Sequence, residues 1–64
     1  MNLLIIGAGG HGKCCNEIAK IMHCFTRIEF VDDQAETVFD KKVIGKQKDM
    51  EMLQTEFDCA FIAI

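Results

Sequence analysis

The 64-residue chain has no proline, tryptophan or tyrosine, and its seven Lys and Arg are outnumbered by ten Asp and Glu. Each shortage removes a class of function. A formal charge of −3 supplies no positive field for a nucleic-acid backbone or an anionic membrane surface. No apolar run approaches the roughly 18–20 residues of a membrane span. A strand-like segment starts directly after Met1, so no secretory leader is expected and the expected location is cytoplasmic. The four cysteines, Cys14, Cys15, Cys24 and Cys59, contain no CxxC pair. Without an export signal they read as free thiols in a reducing compartment. Glycine is concentrated in one place: four of the five lie between Gly7 and Gly12.

What remains is apolar enough to fold. Half the residues are hydrophobic, which argues against disorder. A domain this short buries only about 60% of its unfolded surface, so one small core is the most it can build. "NLLII" (Asn2–Ile6) is a continuous apolar run ahead of glycines, as in a buried parallel strand. From Gly10 or His11 to Cys24 the period changes. Cys14, Ile18, Ile21 and Phe25 recur at helical spacing, flanked by Cys15, Ala19 and Met22. Lys13, Asn16, Glu17, Lys20 and His23 fall on the other side, which predicts an amphipathic helix with the first set facing the core. "RIEFVDD" (Arg27–Asp33) reads as a second strand ending in two carboxylates, and "FDCAFIAI" (Phe57–Ile64) as a third. Between them "KVIG" is a candidate edge strand. Asp49 is a candidate cap for a short helix to about Glu56, with Met50 and Leu53 inward. Met22 and Met52 read as core filler. The order is βαβ(β)αβ: an α/β fold, a Rossmann-like half-domain with a parallel sheet over residues 1–64. The last strand ends at Ile64 with no closing turn, which reads as a truncated protein with an apolar edge.

The stretch "GAGGHGKC" (Gly7–Cys14) carries the chemistry, and two motifs fit its letters. Gly7, Gly9 and Gly12 spell G-x-G-x-x-G after a strand and before a helix. Gly7 allows the tight exit, Gly9 lets the backbone approach a pyrophosphate in a left-handed conformation, and Gly12 lets helix and strand pack closely. The helix N-terminus then faces the anion. Asp32 follows twenty residues beyond Gly12, where a ribose-binding carboxylate sits in nicotinamide and flavin proteins. The second motif is the triphosphate loop, G-x-x-x-x-G-K-[ST]. Gly7, Gly12 and Lys13 fit it, but Cys14 stands where a hydroxyl must hold Mg²⁺. A nicotinamide-dinucleotide half-domain of an oxidoreductase, and a module that binds a mononucleotide, both remain open on this spacing.

Each candidate also has a plain structural reading. Gly7, Gly9, Gly10 and Gly12 could form only a tight turn, yet four glycines in six residues cost much chain entropy, which favours a close ligand. His11 is either a donor to a phosphate or sugar oxygen or a solvated turn residue; nothing makes it a catalytic base. Asp32 and Asp33 either end a strand or accept bonds from a ribose or base. Lys13 sits in the first helical turn, unfavourable against the dipole unless an anion is near. His11 with Cys14 or Cys15 has helical spacing for a metal, but the two thiols point about 100° apart, and core cysteines are small hydrophobes by default. No metal site is expected. His23 suits a helix C-terminus.

The letters "IIGAGGHGK", then "EIAK", a strand ending "VDD", "VIG" and "AFIAI", resemble one family over the whole chain. It is the N-terminal domain of the bacterial nucleotide-sugar acetyltransferases, among them sialic acid O-acetyltransferases and N-acetyltransferases of UDP-linked 4-amino sugars. The resemblance implies that this domain binds the nucleotide-sugar substrate through Gly7, Gly9, Gly10, His11, Gly12, Asp32 and Asp33. It implies a following left-handed parallel β-helix of hexapeptide repeats that binds acetyl-CoA, carries the catalytic histidine and forms a homotrimer. No catalytic residue and no cofactor would then belong to these 64 residues. Cys14 and Cys15 depart from the family, which has small or branched apolar residues there.

Overall fold

In a computed structural model, which describes residues 1–39 and 41–63, the chain alternates strand and helix. Strand β1 (Asn2–Ile6) leads through the glycine turn into α1 (Gly10–Met22), then β2 (Arg27–Val31). A two-residue hairpin follows, β3 (Thr37–Val38) against β4 (Lys41–Lys42). Next come α2 (Met50–Leu53), with a 3₁₀ turn at each end, and β5 (Cys59–Ile62). The main sheet is parallel, in the order β2-β1-β5. This is the expected small α/β, Rossmann-like half-domain.

β1 is central because its sequence suits no other place. Leu3, Leu4, Ile5 and Ile6 are all buried, and a strand covered on both faces must be apolar at every position. Leu3 and Ile5 face one side with Ile28, Phe30 and Ala19 of α1. Leu4, Ile6 and Val31 face the other, against Met50, Leu53 and Phe57. Thus α1 and α2 cover opposite faces. The chain leaves β1 for β2 across one face and returns to β5 across the other. The sheet order reverses between β1 and β5, which creates a topological switch point at the strand C-termini.

Three expectations are corrected. The helix spans the predicted segment, but it is rotated. Gly12, Asn16 and Ala19 are its buried residues, whereas Cys14 is exposed and Ile18, Ile21 and Met22 are 58%, 74% and 59% exposed. The cause is the short reach from the glycine turn. A Cβ on Gly12 would clash with the Gly7 carbonyl oxygen and lie 2.9 Å from its carbon. Only small side chains fit at that separation, whatever their polarity, and each residue step turns the helix about 100°. Met52, at 78% exposure, is likewise no core filler. The predicted helix from Asp49 to Glu56 is broken into a 3₁₀ turn, one α-turn and a second 3₁₀ turn. Asp49 caps backward: its carboxylate accepts from the Lys46 N–H at 2.9 Å. Met50 and Leu53 do pack inward.

Other details follow the sequence. His23 closes α1 in the left-handed conformation (φ 56°), its N–H donating to the Lys20 carbonyl. The "KVIG" segment runs beside β2 through one parallel bridge, Val31 to Gly45, and Lys42 belongs to the hairpin. Phe39, which follows β3, has a left-handed backbone with φ 56°. Position 64 of the predicted last strand lies outside the described residues. All four cysteines are free thiols, and Cys15, Cys24 and Cys59 are half-buried. Among the described residues no group of three His, Cys, Asp or Glu could hold a metal ion, and no helix is long and apolar enough to cross a membrane.

Candidate nucleotide-binding cleft

The C-terminal ends of the three parallel strands open into one cleft of about 530 Å³. Gly7 leaves β1 with φ 112°, a conformation a side chain rarely tolerates, while its N–H still donates to the Val31 carbonyl at 2.8 Å. The strand therefore stays in the sheet as the chain turns sharply away. Gly9 then begins α1 with no side-chain cap, and the first turn carries no acid. The leading backbone N–H groups of the helix lack an intrahelical partner and form the positive end of the dipole. Gly9 itself is extended, with φ −79°, not left-handed as expected. A Cβ at Gly9 or Gly10 would meet nothing within 4 Å, so space rather than backbone strain is what these two glycines preserve.

Gly7, Gly9, Gly10, His11, Asp32 and Asp33 all line this cleft. Residues from opposite ends of β1–α1–β2 are thus brought together. Gly12 stands behind them, buried under the Gly7 carbonyl, where its role is close packing. Lys13 points elsewhere: its ammonium lies 5.9 Å from the centre of the Phe39 ring, within cation–π range. His11 stands beside Phe61 of β5, ring centres 6.2 Å apart.

The two carboxylates are partly engaged. Asp32 accepts from the Ala35 N–H at 3.3 Å, a short turn that ends β2. Asp33 accepts from the Gln47 N–H at 2.9 Å, which pins the start of the α2 segment across the cleft. Each of these bonds uses one carboxylate oxygen. Ala8, Gln34, Gln47 and Ala63 complete the lining and were not identified from the sequence. The only signal for Gln47 was its place just ahead of the Asp49 cap. At the opposite end of the sheet Glu29 first, and then Glu56, raises the pKa of Arg27 by hydrogen bonding.

This arrangement can hold an anion at the glycine turn and a hydroxylated or hydrogen-bonding group at the carboxylates. The sequence of residues 2–64 matches the family of the PglD N-terminal domain. The chain belongs to that family. PglD-type enzymes are sugar N-acetyltransferases that use acetyl-CoA, and these residues correspond to their N-terminal domain. Searches among curated proteins and solved structures found no match. Among the described residues the contact recorded for the His11 ring is with Phe61, at the mouth of the same cleft.

Proposed function

We propose that this domain holds the nucleotide-sugar acceptor of an acetyl-CoA-dependent sugar acetyltransferase. One observation carries the reading. In a PglD-family domain, the uncapped start of α1, the glycine turn and the Asp32–Asp33 pair share a single cleft at the switch point of the sheet. The backbone N–H groups from Gly9 to His11 would take the diphosphate. Asp32 or Asp33 would accept from the ribose or base, and His11 would donate to a phosphate or sugar oxygen. Acyl transfer itself would fall to a hexapeptide-repeat β-helix domain in a cytoplasmic homotrimer. The nicotinamide-dinucleotide reading needs a second mononucleotide half and draws no support from the family.

Calorimetric titration tests this directly. UDP- or CMP-sugars are expected to bind the 64-residue chain more tightly than NAD⁺. Tight NAD⁺ binding with no response to nucleotide sugars would overturn the assignment. Gly9→Val sharpens the test, because the site has room for the new Cβ in the free protein and φ −79° suits valine. Charge-assisted backbone bonds are worth about 1.5–3 kcal/mol, so blocking the anion's space should lower affinity at least tenfold with the thermal midpoint nearly unchanged. Undiminished binding would show the turn to be structural only.

A further inference from the structure

The cleft does not stop at Asp32. That residue also lines a second cavity, of about 430 Å³, to which no residue of the glycine turn contributes. It lies between the end of β2 and the segment from Lys42 to Lys46. Both of its ends are closed by main chain. The Val43 N–H donates to the Glu36 carbonyl at 2.9 Å, and the Asp32 N–H to the Gly45 carbonyl at 3.0 Å. Just beyond, the Asp49 carboxylate accepts from the Lys46 N–H at 2.9 Å. The cavity therefore belongs to the folded framework.

Its lining has two parts. Ala35, Val43 and Ile44 are apolar and half-buried. The first two pack against the core cluster of Leu3 and Ile5, the third against that of Leu4 and Ile6. Glu36, Lys42 and Lys46 are exposed and bring charge to the rim. Among the described residues none of these three is taken up by an ion pair. An apolar wall with a few polar groups around it suits a flat ring with heteroatoms on its edge.

Covalent order says which ring. In a nucleotide the phosphates, the ribose and the base follow one another. With the phosphates at the N-terminus of α1 and the ribose at Asp32, the base is carried past Asp32 and into the second cavity. We propose that this cavity is the nucleobase subsite, and that Glu36, Lys42 and Lys46 select a base whose edge sets a carbonyl oxygen beside a ring N–H. The inference rests on the nucleotide-sugar reading and adds where the base lies and what reads it. An ammonium only donates and a carboxylate only accepts. The uracil edge, an N–H between two carbonyl oxygens, matches two donors and one acceptor. Cytosine offers an amine and an unprotonated ring nitrogen in place of one oxygen and the N–H. It therefore sets donor against donor and acceptor against acceptor.

Calorimetry with UDP and CDP tests the assignment, since the two carry the same charge and differ only in that edge. UDP is expected to bind at least about tenfold more tightly, the effect of one satisfied hydrogen bond to a charged group. Glu36→Gln and, separately, Lys42→Gln should bring the ratio of the two affinities below about threefold. Both positions are exposed, so these variants should keep the circular dichroism of the parent. Gly9→Val should weaken both nucleotides and leave the ratio as it was. Equal binding of UDP and CDP by the parent would overturn the inference while the nucleotide-sugar reading stood. So would a preference that survives Glu36→Gln, Lys42→Gln and Lys46→Gln alike, because the base would then lie elsewhere. No binding of either nucleotide at about 1 mM would overturn both.

Discussion

Helix α1 has two unlike faces, and their contrast shows what places a helix on a sheet. The face against β1 carries Gly12, Asn16 and Ala19; the face away from it carries Ile18, Ile21 and Met22. Hydrophobicity alone would put the second set inside. Distance decides otherwise. A helix that leaves the sheet through a three-residue turn cannot stand the ordinary separation away from it, so its first two turns must present small atoms. Ile18 and Met22 are displaced to the flank, where they line a groove with Phe61 of β5. Size outranks polarity wherever backbone approaches backbone.

The contrast can be broken most severely at Gly12. Its Cβ would meet backbone rather than the movable end of a side chain, so Gly12→Ala should cost more than the ~1–3 kcal/mol of ordinary overpacking. A core this small supplies no more than about 3–5 kcal/mol in all. Cooperative thermal unfolding is expected to disappear. If Gly12→Ala melts as sharply and as high as the parent, the close contact with Gly7 is not what sets the helix position.

Ala19→Leu is the intermediate case. Ala19 is 3% exposed in the same core cluster as Leu3 and Ile5, and three extra carbons there should cost about 1–3 kcal/mol. Urea midpoints give the value. A neutral result would mean the helix can lift from the sheet.

Ile21→Ser should do least. At 74% exposure the side chain gives little to the monomer, and the change should stay within about 0.5 kcal/mol. The thermal midpoint, measured at low concentration, should move by less than about 4 °C. A loss of 2 kcal/mol or more would mean that helical periodicity ranked the faces correctly after all.

These residues also mark what could be read in advance. β1 was legible because four adjacent aliphatics suit only a strand buried on both sides. The roles of Gly7 and Gly12 were legible because backbone geometry excludes other residues there. The face of α1 was not, since periodicity ranks side chains by polarity and says nothing of clearance. The cleft was legible at Gly9, Gly10, His11, Asp32 and Asp33, which lie near strand ends. Gln47 was not, because it stands fourteen residues from Asp33, and the hydrogen bond that brings it to the cleft depends on how the intervening chain returns beside β2.

That bond has a practical consequence. The Asp33 carboxylate accepts from the Gln47 N–H on the wall of the proposed binding cleft, so wall and ligand draw on the same carboxylate. A bound hydroxyl that competes for the engaged oxygen would loosen the wall. One that takes the other oxygen would leave it closed. Solvent exchange at the Gln47 amide, followed by NMR, therefore distinguishes the two modes of binding at a single backbone proton.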